Sequence, residues 1–325
     1  MAKLPTTQDP NVAAIDAWHE AQEDAPRYHL GCSIIGHDCD RWIWLAFRWA
    51  VKEQFDGRKL RLFRRGKLEE ATVLADLRAI GMEIVAEQDG HQLRVSWGGH
   101  LSGSLDGLIL QGVKQAPTAQ HVLEIKTHNS KSFSDLEKDG VQKSKPQHWA
   151  QMQVYMRGRR VDRALYVAVC KDDDRLYFER VRLDKEAADY FIERGRRLSL
   201  DERMPEPCAN GSPTWYKCKW CPAYSMCWEA KPASEANCRT CCHSTPLPDG
   251  TWNCERWAGK IPNEHQPKGC RSHVMHPDLW PWPLIAEHGE WTGTWQTPAG
   301  NLWNGEDGLS TQELLAAVDA ADCPF

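Results

Sequence analysis

The sequence predicts an α/β fold in which a mixed central β-sheet is flanked by helices and followed by a small cysteine-rich part. Three observations predict it. Two amphipathic stretches precede a run of short apolar segments, another helix and two more strands follow, and after Pro205 the composition shifts to Cys, Trp, Pro and Gly. We expect an N-terminal extension (1–30), a core domain (31–232), a cysteine-rich metal-binding module (233–280), and an acidic tail with a hairpin and a short helix (281–325).

The elements follow in order along the chain. Residues 39–55 predict an aromatic-rich helix beginning near Asp40, and residues 58–81 a second helix closed by Gly81. Strands are predicted around 82–87, 91–97, 101–110 and 121–127, and the charged, aperiodic residues 127–144 are predicted to form a mobile loop. The remaining predictions are a helix in "KPQHWAQMQVYMRG", strands in "RALYVAVCK" and "RLYFERVRL", a helix at 185–203, and a capped helix in "LSTQELLAAVDAA".

Composition limits the class of protein. Hydrophobic residues make up 41% and charged residues 26% of the chain, as in ordinary globular proteins, and no run of 18 apolar residues predicts a membrane span. The N-terminus lacks the apolar segment of a secretion signal, so we expect a cytoplasmic protein, in the bacterial host cytoplasm if it is phage-encoded. In that compartment thirteen cysteines favour metal ligation over disulfides.

Charge is unevenly distributed. The net charge is −5, but residues 57–67 carry six basic side chains and no acidic one, whereas residues 281–325 carry seven acidic side chains and neither Lys nor Arg. A local basic face is what phosphate binding requires, although a solvated helix face has the same composition. Arg64 and Arg65 in this segment, with Arg41 upstream, are the candidate DNA-phosphate contacts.

Acidic residues at two strands predict a site. In "HVLEIKTHNS" the side chains of Glu124 and Lys126 share one face of an extended strand, a pattern that usually marks an exposed ion pair. Asp106 lies on a strand or turn 18 positions earlier. If the two strands are adjacent, Asp106 and Glu124 can converge on one divalent cation with Lys126 beside it. This arrangement suits phosphodiester hydrolysis, because the metal activates water and the lysine orients or deprotonates it.

Two helices supply further candidates. Glu70 is predicted nearer than Glu69 to the centre of an apolar helix face, which is formed by Leu62, Phe63, Val73, Leu74, Leu77 and Ile80. Gln151 and Tyr155, four residues apart on another helix, can face the same site. His148 and Trp149 are predicted to have only packing or surface roles.

Taken in order, "GKLEE" with Gly66 and Glu70, "SLDG", "EIK" and "QMQVY" resemble the PD-(D/E)xK nucleases of the RecB and phage-exonuclease branch, over roughly residues 30–200. Leu105 stands where the name motif has proline. The resemblance implies a restriction-endonuclease-like core that cleaves DNA with Mg²⁺ or Mn²⁺. It implies Lys126 as catalytic lysine, Gln151 and Tyr155 as a supporting pair, and the following metal-binding residues: Glu70, Asp106, Glu124 and Ile125.

The segment "CKWCPAYSMC" places Cys218, Cys221 and Cys227 at metal-ligand spacing, and three thiolates need a fourth ligand. Sulfur ligands select zinc or an iron–sulfur cluster, and the spacing does not choose between them. One early cysteine followed by three late ones resembles the AddB-type and CRISPR-associated iron–sulfur nucleases, which implies a [4Fe–4S] cluster on Cys39, with Cys32 as a substitute. A local zinc site completed by Cys208 is the alternative.

A second cysteine set predicts a closed zinc site around a hairpin at "PDG". Its ligands are Cys238, Cys241, Cys254 and Cys270, and the possible replacements for one of them are Cys242, His243 and His273. The module is expected mainly to fold its own segment, and base stacking by Trp252 or Trp257 is a secondary possibility.

The chain ends in "DCPF", which resembles the C-terminal tip of bacterial single-stranded-DNA-binding proteins and raises the hypothesis of docking, through Pro324 and Phe325, to a single-strand annealing, replication or repair protein. The expected function is a metal-dependent DNA exonuclease of phage or bacterial recombination and repair. The alternatives are a non-catalytic nucleic-acid-binding protein built on metal modules, and a structure-specific endonuclease of the same fold.

Overall fold

A computed structural model of the chain describes residues 9–22, 26–289, 292–305 and 307–322. The helices are α1 (Pro10–Glu20), α2 (Asp40–Phe47), α3 (Gly57–Ala79), α4 (Ser130–Ser144), α5 (Pro146–Arg159), α6 (Lys185–Leu200), α7 (Tyr216–Lys219), α8 (Tyr224–Trp228) and α9 (Thr311–Asp322). The strands are β1 (Leu30–Gly31), β2 (Glu83–Val85), β3 (Glu87–Gln88), β4 (His91–Gln92), β5 (Arg94–Ser96), β6 (Leu101–Ser104), β7 (Gly107–Gln111), β8 (His121–His128), β9 (Arg163–Cys170), β10 (Leu176–Arg182), β11 (Ser244–Pro246), β12 (Trp252–Cys254), β13 (Gly259–Ile261), β14 (Leu284–Gly289), β15 (Thr292–Thr297) and β16 (Gly300–Asn304).

The described residues form two compact units. Unit one comprises those of Met1–Arg27, Glu53–Val95 and Gly103–Asp189. It contains a five-stranded sheet in the order β10-β9-β8-β7-β2. Strands β8 and β9 are parallel and the other neighbouring pairs are antiparallel, so the prediction of a mixed sheet flanked by helices is confirmed.

Alternation along β8 gives the sheet two different faces. Leu123 and Ile125 join one apolar cluster with Val73 and Leu77 of α3. Because successive side chains of a strand point to opposite faces, the opposite side of β8 carries Glu124 and its even-numbered neighbours. The sequence pattern therefore places the apolar core under α3 and the polar side chains on the other face.

Residues 127–144 are not a loop, and that prediction was wrong. They contain α4, whose N-cap Asn129 accepts a hydrogen bond from the Ser132 amide at 2.8 Å. Its buried side chains are those of Phe133, Leu136 and Val141. The helical period was hidden because Gly140 adopts φ 70° and ψ 173°, which breaks the helix and shifts its register.

The first two predicted helices also differ in detail. Helix α2 ends at Phe47, and Trp49 adopts a positive φ of 52°, so the helix is shorter than the aromatic stretch that predicted it. In α3 the predicted apolar face is only partly buried: Val73 and Leu77 are buried, while Leu62, Phe63 and Ile80 are exposed. A helix of 23 residues is about 35 Å long, and only the turns around Val73 and Leu77 join the sheet's apolar cluster.

Unit two comprises the described residues of Tyr28–Lys52, Ser96–Ser102 and Tyr190–Phe325. It contains two three-stranded antiparallel sheets, β11-β12-β13 and β14-β15-β16. Its apolar core includes the following side chains: Trp44, Leu45, Met275, Leu279, Trp280, Trp295, Leu314 and Val318. The predicted cap of α9 is confirmed, since the Ser310 hydroxyl and amide both donate to the Glu313 carboxylate.

The predicted hairpin at "PDG" is present between β11 and β12. The Leu247 amide donates to the Thr251 carbonyl at 2.8 Å, and Gly250 takes a positive φ of 87° that favours glycine. Pro324 and Phe325, the residues predicted to dock a partner protein, lie outside the described residues. None of the helices that the structure describes is both long and apolar enough to cross a membrane.

A buried arginine holds several loops of unit two together. The Arg239 guanidinium donates to the carbonyls of Tyr28 and Phe47 at 2.7 and 2.9 Å and to the Gln266 side chain at 2.9 Å. It also lies 3.8 Å from the centre of the Trp49 ring. These partners are far apart in sequence, so the one guanidinium links several chain segments. Such links stabilise a cysteine-rich part of the chain that has few apolar side chains of its own.

Candidate active site

Strand pairing brings Asp106 to β8. Asp106 precedes β7, whose Gly107 pairs with Leu123 of β8. The Asp106 carboxylate accepts a hydrogen bond from the Ile125 amide at 2.7 Å. A contact between residues 19 positions apart therefore fixes the aspartate beside the polar face of β8.

Lys126 lies between the two carboxylates. Its ammonium forms an ion pair with Glu124, lies 3.9 Å from the Asp106 carboxylate, and donates to the Ile125 carbonyl at 3.1 Å. Burial alone would lower the pKa of Lys126, but the carboxylates of Glu124 and Asp106 raise it above its ordinary value. The lysine is therefore cationic near neutral pH, and its side chain is still 28% exposed.

Glu124 is the most deeply buried group of the site, with no exposed surface. Apart from the ion pair with Lys126, neither carboxylate oxygen has a hydrogen-bond partner among the described residues. Burial raises the pKa of Glu124 to about 7, an effect that Lys126 opposes and Asp106 adds to. An ionised carboxylate in this position needs a further positive or hydrogen-bonding partner.

The helix residues take different positions. Glu70 of α3 is half-buried, and burial together with the nearby Asp106 carboxylate raises its pKa while Lys126 lowers it. Glu70 thus shares the electrostatic environment of the two strands. Gln151 and Tyr155 are buried on α5, and the Gln151 amide donates to the Tyr155 hydroxyl at 3.2 Å.

The three candidate phosphate contacts belong to different units: Arg64 and Arg65 to unit one, and Arg41 to unit two. Arg64 is exposed on α3, and Arg65 donates to the Lys171 carbonyl at 3.0 Å. Arg41 belongs to unit two, where it donates to the Pro205 carbonyl at 2.7 Å and lies 4.0 Å from the Cys227 sulfur. The environment of Arg41 is therefore that of the cysteines.

Sequence reasoning missed a polar cluster on the same sheet face. The Tyr166 hydroxyl lies 2.9 Å from Nε2 of His128 and 2.8 Å from Nδ1 of His148. A signal for His128 was available, because it continues the even-numbered face of Glu124 and Lys126. The parts played by Tyr166 and His148 follow from the parallel pairing of β8 with β9 and the placement of α5, which the sequence pattern does not specify.

The predicted cysteine ligands of unit two assemble into a set that we call the Cys39 group. The group consists of five cysteines that line one small cavity of about 30 Å³: Cys39, Cys208, Cys218, Cys221 and Cys227. Burial raises the pKa of Cys208 to about 12, and the adjacent thiols of Cys39 and Cys218 add to the effect. Cys32 is buried and does not line this cavity. Both fourth-ligand candidates, Cys39 and Cys208, are thus at the same place.

The second set, which we call the Cys238 group, contains Cys238, Cys241, Cys254 and Cys270. Burial raises the pKa of Cys238 to about 11, and the other three thiols add to the effect. Of the possible substitutes, His273 uses both ring nitrogens elsewhere, 2.9 Å from the Asn237 carbonyl and 2.9 Å from the Thr311 hydroxyl. Throughout the part of the chain that the structure describes, no group of three or more His, Cys, Asp or Glu side chains is drawn together tightly enough to hold a metal ion.

No protein-family model matches the sequence, and no curated protein is similar to it at the sequence level. Among solved structures the chain is similar to SSO0001, at 13% identity and a TM-score of 0.42, over 67% of this chain and 94% of that one. It is also similar to an alkaline exonuclease (LHK-Exo) from Laribacter hongkongensis, at 16% identity and a TM-score of 0.36, over 56% of this chain and 90% of that one. The structure of LHK-Exo in complex with dAMP is similar at 14% identity and a TM-score of 0.37, over 57% of this chain and 90% of that one. These likenesses describe a distant structural similarity only.

Proposed function

We propose that this protein is a divalent-metal-dependent deoxyribonuclease that degrades DNA from its ends. The observation that carries the proposal is Glu124, a fully buried carboxylate with open acceptor sites, which lies with Lys126 on β8 beside Asp106 at the start of β7. Buried charges are paired or bind metals, and Lys126 alone leaves the acceptor sites of Glu124 open. A hard cation that keeps several waters fits such a pair of carboxylates.

Each residue then has a distinct part in the reaction. Asp106 and Glu124 would hold Mg²⁺ or Mn²⁺, with Glu70 and the Ile125 carbonyl at its margin. The metal, when bound, supplies an activated water and neutralises charge on the phosphate. Lys126, held cationic by its carboxylate neighbours, donates to a phosphate oxygen as negative charge develops there. The amide of Ile125 keeps Asp106 in position.

The cysteine groups are proposed as structural metal sites. The Cys39 group would hold a [4Fe–4S] cluster or zinc through Cys39, Cys218, Cys221 and Cys227, with Cys208 as the alternative ligand, and the Cys238 group would hold zinc. Partly buried thiols that lie near one another fit this proposal, because their raised pKa values mean that thiolates form there only with a compensating cation. Soft sulfur ligands are those that zinc and iron–sulfur clusters prefer.

The test uses anaerobically purified full-length protein and end-labelled linear DNA with Mg²⁺ or Mn²⁺. Asp106→Ala and Lys126→Ala should each reduce nucleotide release by at least about 100-fold, the size expected when a group that stabilises transition-state charge is lost. Glu70→Gln should also reduce it, while the adjacent Glu69→Gln serves as the matched control and should retain activity.

Two other outcomes have defined meanings. If wild type and variants bind DNA equally and none releases nucleotides, the protein is a nucleic-acid-binding protein and the nuclease proposal fails. Cleavage of covalently closed DNA at the rate of linear DNA would instead identify a structure-specific or site-specific endonuclease that uses the same residues.

A further inference from the structure

A chain of hydrogen-bonding groups crosses the polar face of unit one. It runs from the Ser132 hydroxyl to Nδ1 of His128 at 3.1 Å, and from Nε2 of His128 to the Tyr166 hydroxyl at 2.9 Å. It continues from the Tyr166 hydroxyl to Nδ1 of His148 at 2.8 Å. The mechanism above uses none of these four side chains.

Among the described residues, the outer end of this hydrogen-bonded series has no protein partner. Nδ1 of His148 faces Tyr166, whereas Nε2 has no hydrogen-bonding partner in the described part of the chain, and the residue is partly exposed. The His148 ring also stacks on Tyr166, with centroids 5.8 Å apart and planes at 28°. The imidazole is thus held on one side and open on the other.

The proton inventory allows two directions for this series of hydrogen bonds. A tyrosine hydroxyl has one proton, so Tyr166 donates to one imidazole and accepts from the other. Burial lowers the pKa of His148 to about 3 and that of His128 to about 4, so both rings are neutral near pH 7. In one direction Ser132 donates to His128, His128 to Tyr166 and Tyr166 to His148, which leaves an N–H on Nε2 of His148; in the other direction every donation is reversed and Nε2 is an acceptor. An anion at Nε2 selects the first direction, because only that direction offers it a donor.

The open end belongs to the region of the candidate active site. Tyr166 is the direct neighbour of Glu124 in the register of β8 with β9, and paired residues of adjacent strands lie on the same face. The charge of Lys126 acts on the His148 ring and helps to lower its pKa. A neutral donor at this place can approach an anion without bringing a second cation next to Lys126.

We propose that Nε2 of His148 donates a hydrogen bond to a phosphate oxygen of the DNA strand bound at this site, and that Tyr166 and His128 are positioning residues that fix the ring for this contact. The proposal rests on the proposed function for its ligand, a nucleic-acid phosphate. It adds a substrate-contacting residue that lies outside the acidic cluster.

The experiment measures binding without cleavage. A fluorescently labelled single-stranded DNA of about 12 nucleotides is titrated with the full-length protein in Ca²⁺. His148→Asn keeps an amide near the position of Nδ1 and lacks a group at Nε2, so affinity should fall at least about fivefold with the melting temperature unchanged. His148→Gln, which places an amide near the position of Nε2, should bind more tightly than His148→Asn. Gln147→Asn on the same helix is the control and should bind as wild type.

The positioning role has a separate signature. Tyr166→Phe should weaken binding less than His148→Asn does, and the double variant should be no weaker than His148→Asn alone, since Tyr166 acts only through the ring. Additive losses would overturn the positioning role of Tyr166.

The remaining results separate the inference from the proposed function. If His148→Asn binds DNA as tightly as the wild-type protein does, the inference is overturned. If the wild-type protein also cleaves DNA, the nuclease proposal stands without the inference. DNA binding that depends on His148 in a protein that does not cleave supports the inference and overturns the nuclease proposal. Absence of DNA binding by the wild type overturns the inference, and it overturns the nuclease proposal as well if the wild type releases no nucleotides from linear DNA.

Discussion

His100 is enclosed in unit two between aromatic rings, with centroids 5.1 Å from Phe47 and 5.7 Å from Trp252. Burial lowers its pKa to about 4 from an ordinary value of 6.5, and the Arg239 charge adds to the effect. The unfolded chain therefore binds a proton there at a higher pH than the folded chain does. Between these two pKa values the free energy of unfolding decreases as the pH falls, and this one group accounts for a decrease of up to about 3 kcal/mol.

We predict that His100→Phe, which keeps an aromatic ring and removes the titration, flattens the decline of unfolding free energy between pH 6.5 and about 4. Urea denaturation at several pH values measures the slope in wild type and variant. An unchanged slope would assign the acid sensitivity to other groups of the protein.

At the scale of single residues, the sequence identified the acidic constellation better than its surroundings. Glu124 and Lys126 were found because a strand has a two-residue period, and that period holds without knowledge of neighbouring strands. The network through Tyr166 was not found, because it depends on the register between β8 and β9. The phosphate contact of Arg41 stays a prediction, and its hydrogen bond to the Pro205 carbonyl depends on chain packing that no local sequence pattern reports.

Helix α4 shows how one backbone position controls an element. Gly140 adopts φ 70° and ψ 173°, a conformation essentially restricted to glycine. The break lets the Val141 amide donate to the Glu179 carboxylate at 2.8 Å instead of continuing the helix. The Tyr177 hydroxyl donates to the same carboxylate at 2.6 Å, so the interruption is joined to β10.

We predict that Gly140→Ala lowers the free energy of unfolding by about 1–3 kcal/mol, because a Cβ is strained at this φ even though the nearest side-chain atom would be 3.4 Å away. Gly66→Ala in α3 is the matched control. It has ordinary helical geometry and no neighbour closer than 3.8 Å, so it should be neutral or stabilising by up to about 1 kcal/mol. Equal effects of the two substitutions in chemical denaturation would contradict this account.

Elements with a strong local signal were predicted well. The capped α9, the hairpin at Gly250 and the strands β8 and β9 each follow from a cap, a turn residue or an apolar run. The errors occurred where tertiary contacts decide: α4 is stabilised by three buried side chains within a charged segment, and α2 is cut short at Phe47. Charge density alone therefore misjudged a helix as a loop.

For the whole molecule, nine of the described cysteines form the two groups of unit two, Cys32 and Cys242 lie in unit two outside these groups, and Cys170 is buried in unit one. If the sets hold separate metals, each loses its own metal independently. We predict that Cys254→Ser lowers the zinc content by about one atom per chain without changing iron. Cys218→Ser should lower iron, or a second zinc, without changing the zinc of the Cys238 group. Metal analysis of anaerobically purified protein measures both, and Cys170→Ser is the matched control.

Concerted loss of all metal from either single variant would mean that the two groups form one cooperative site. If only Cys170→Ser lost metal, the assignment of metals to the two cysteine groups would be wrong. Composition predicted the clustering of cysteines, but it could not show that Cys39 and Cys208 reach the same cavity, because about half of the chain separates Cys39 from the other four.

The alternation of chain segments between the two units has a consequence for synthesis. Trp44 and Leu45 share their core with Leu279 and Leu314, which follow more than 200 residues later. At about 5–20 residues per second the ribosome needs roughly ten seconds or more to deliver those partners. The apolar side chains of α2 lack these partners during that interval, so the core of unit two forms only after the segment around Leu314 has been synthesised. A chaperone that shields early apolar segments should therefore raise the yield of intact protein.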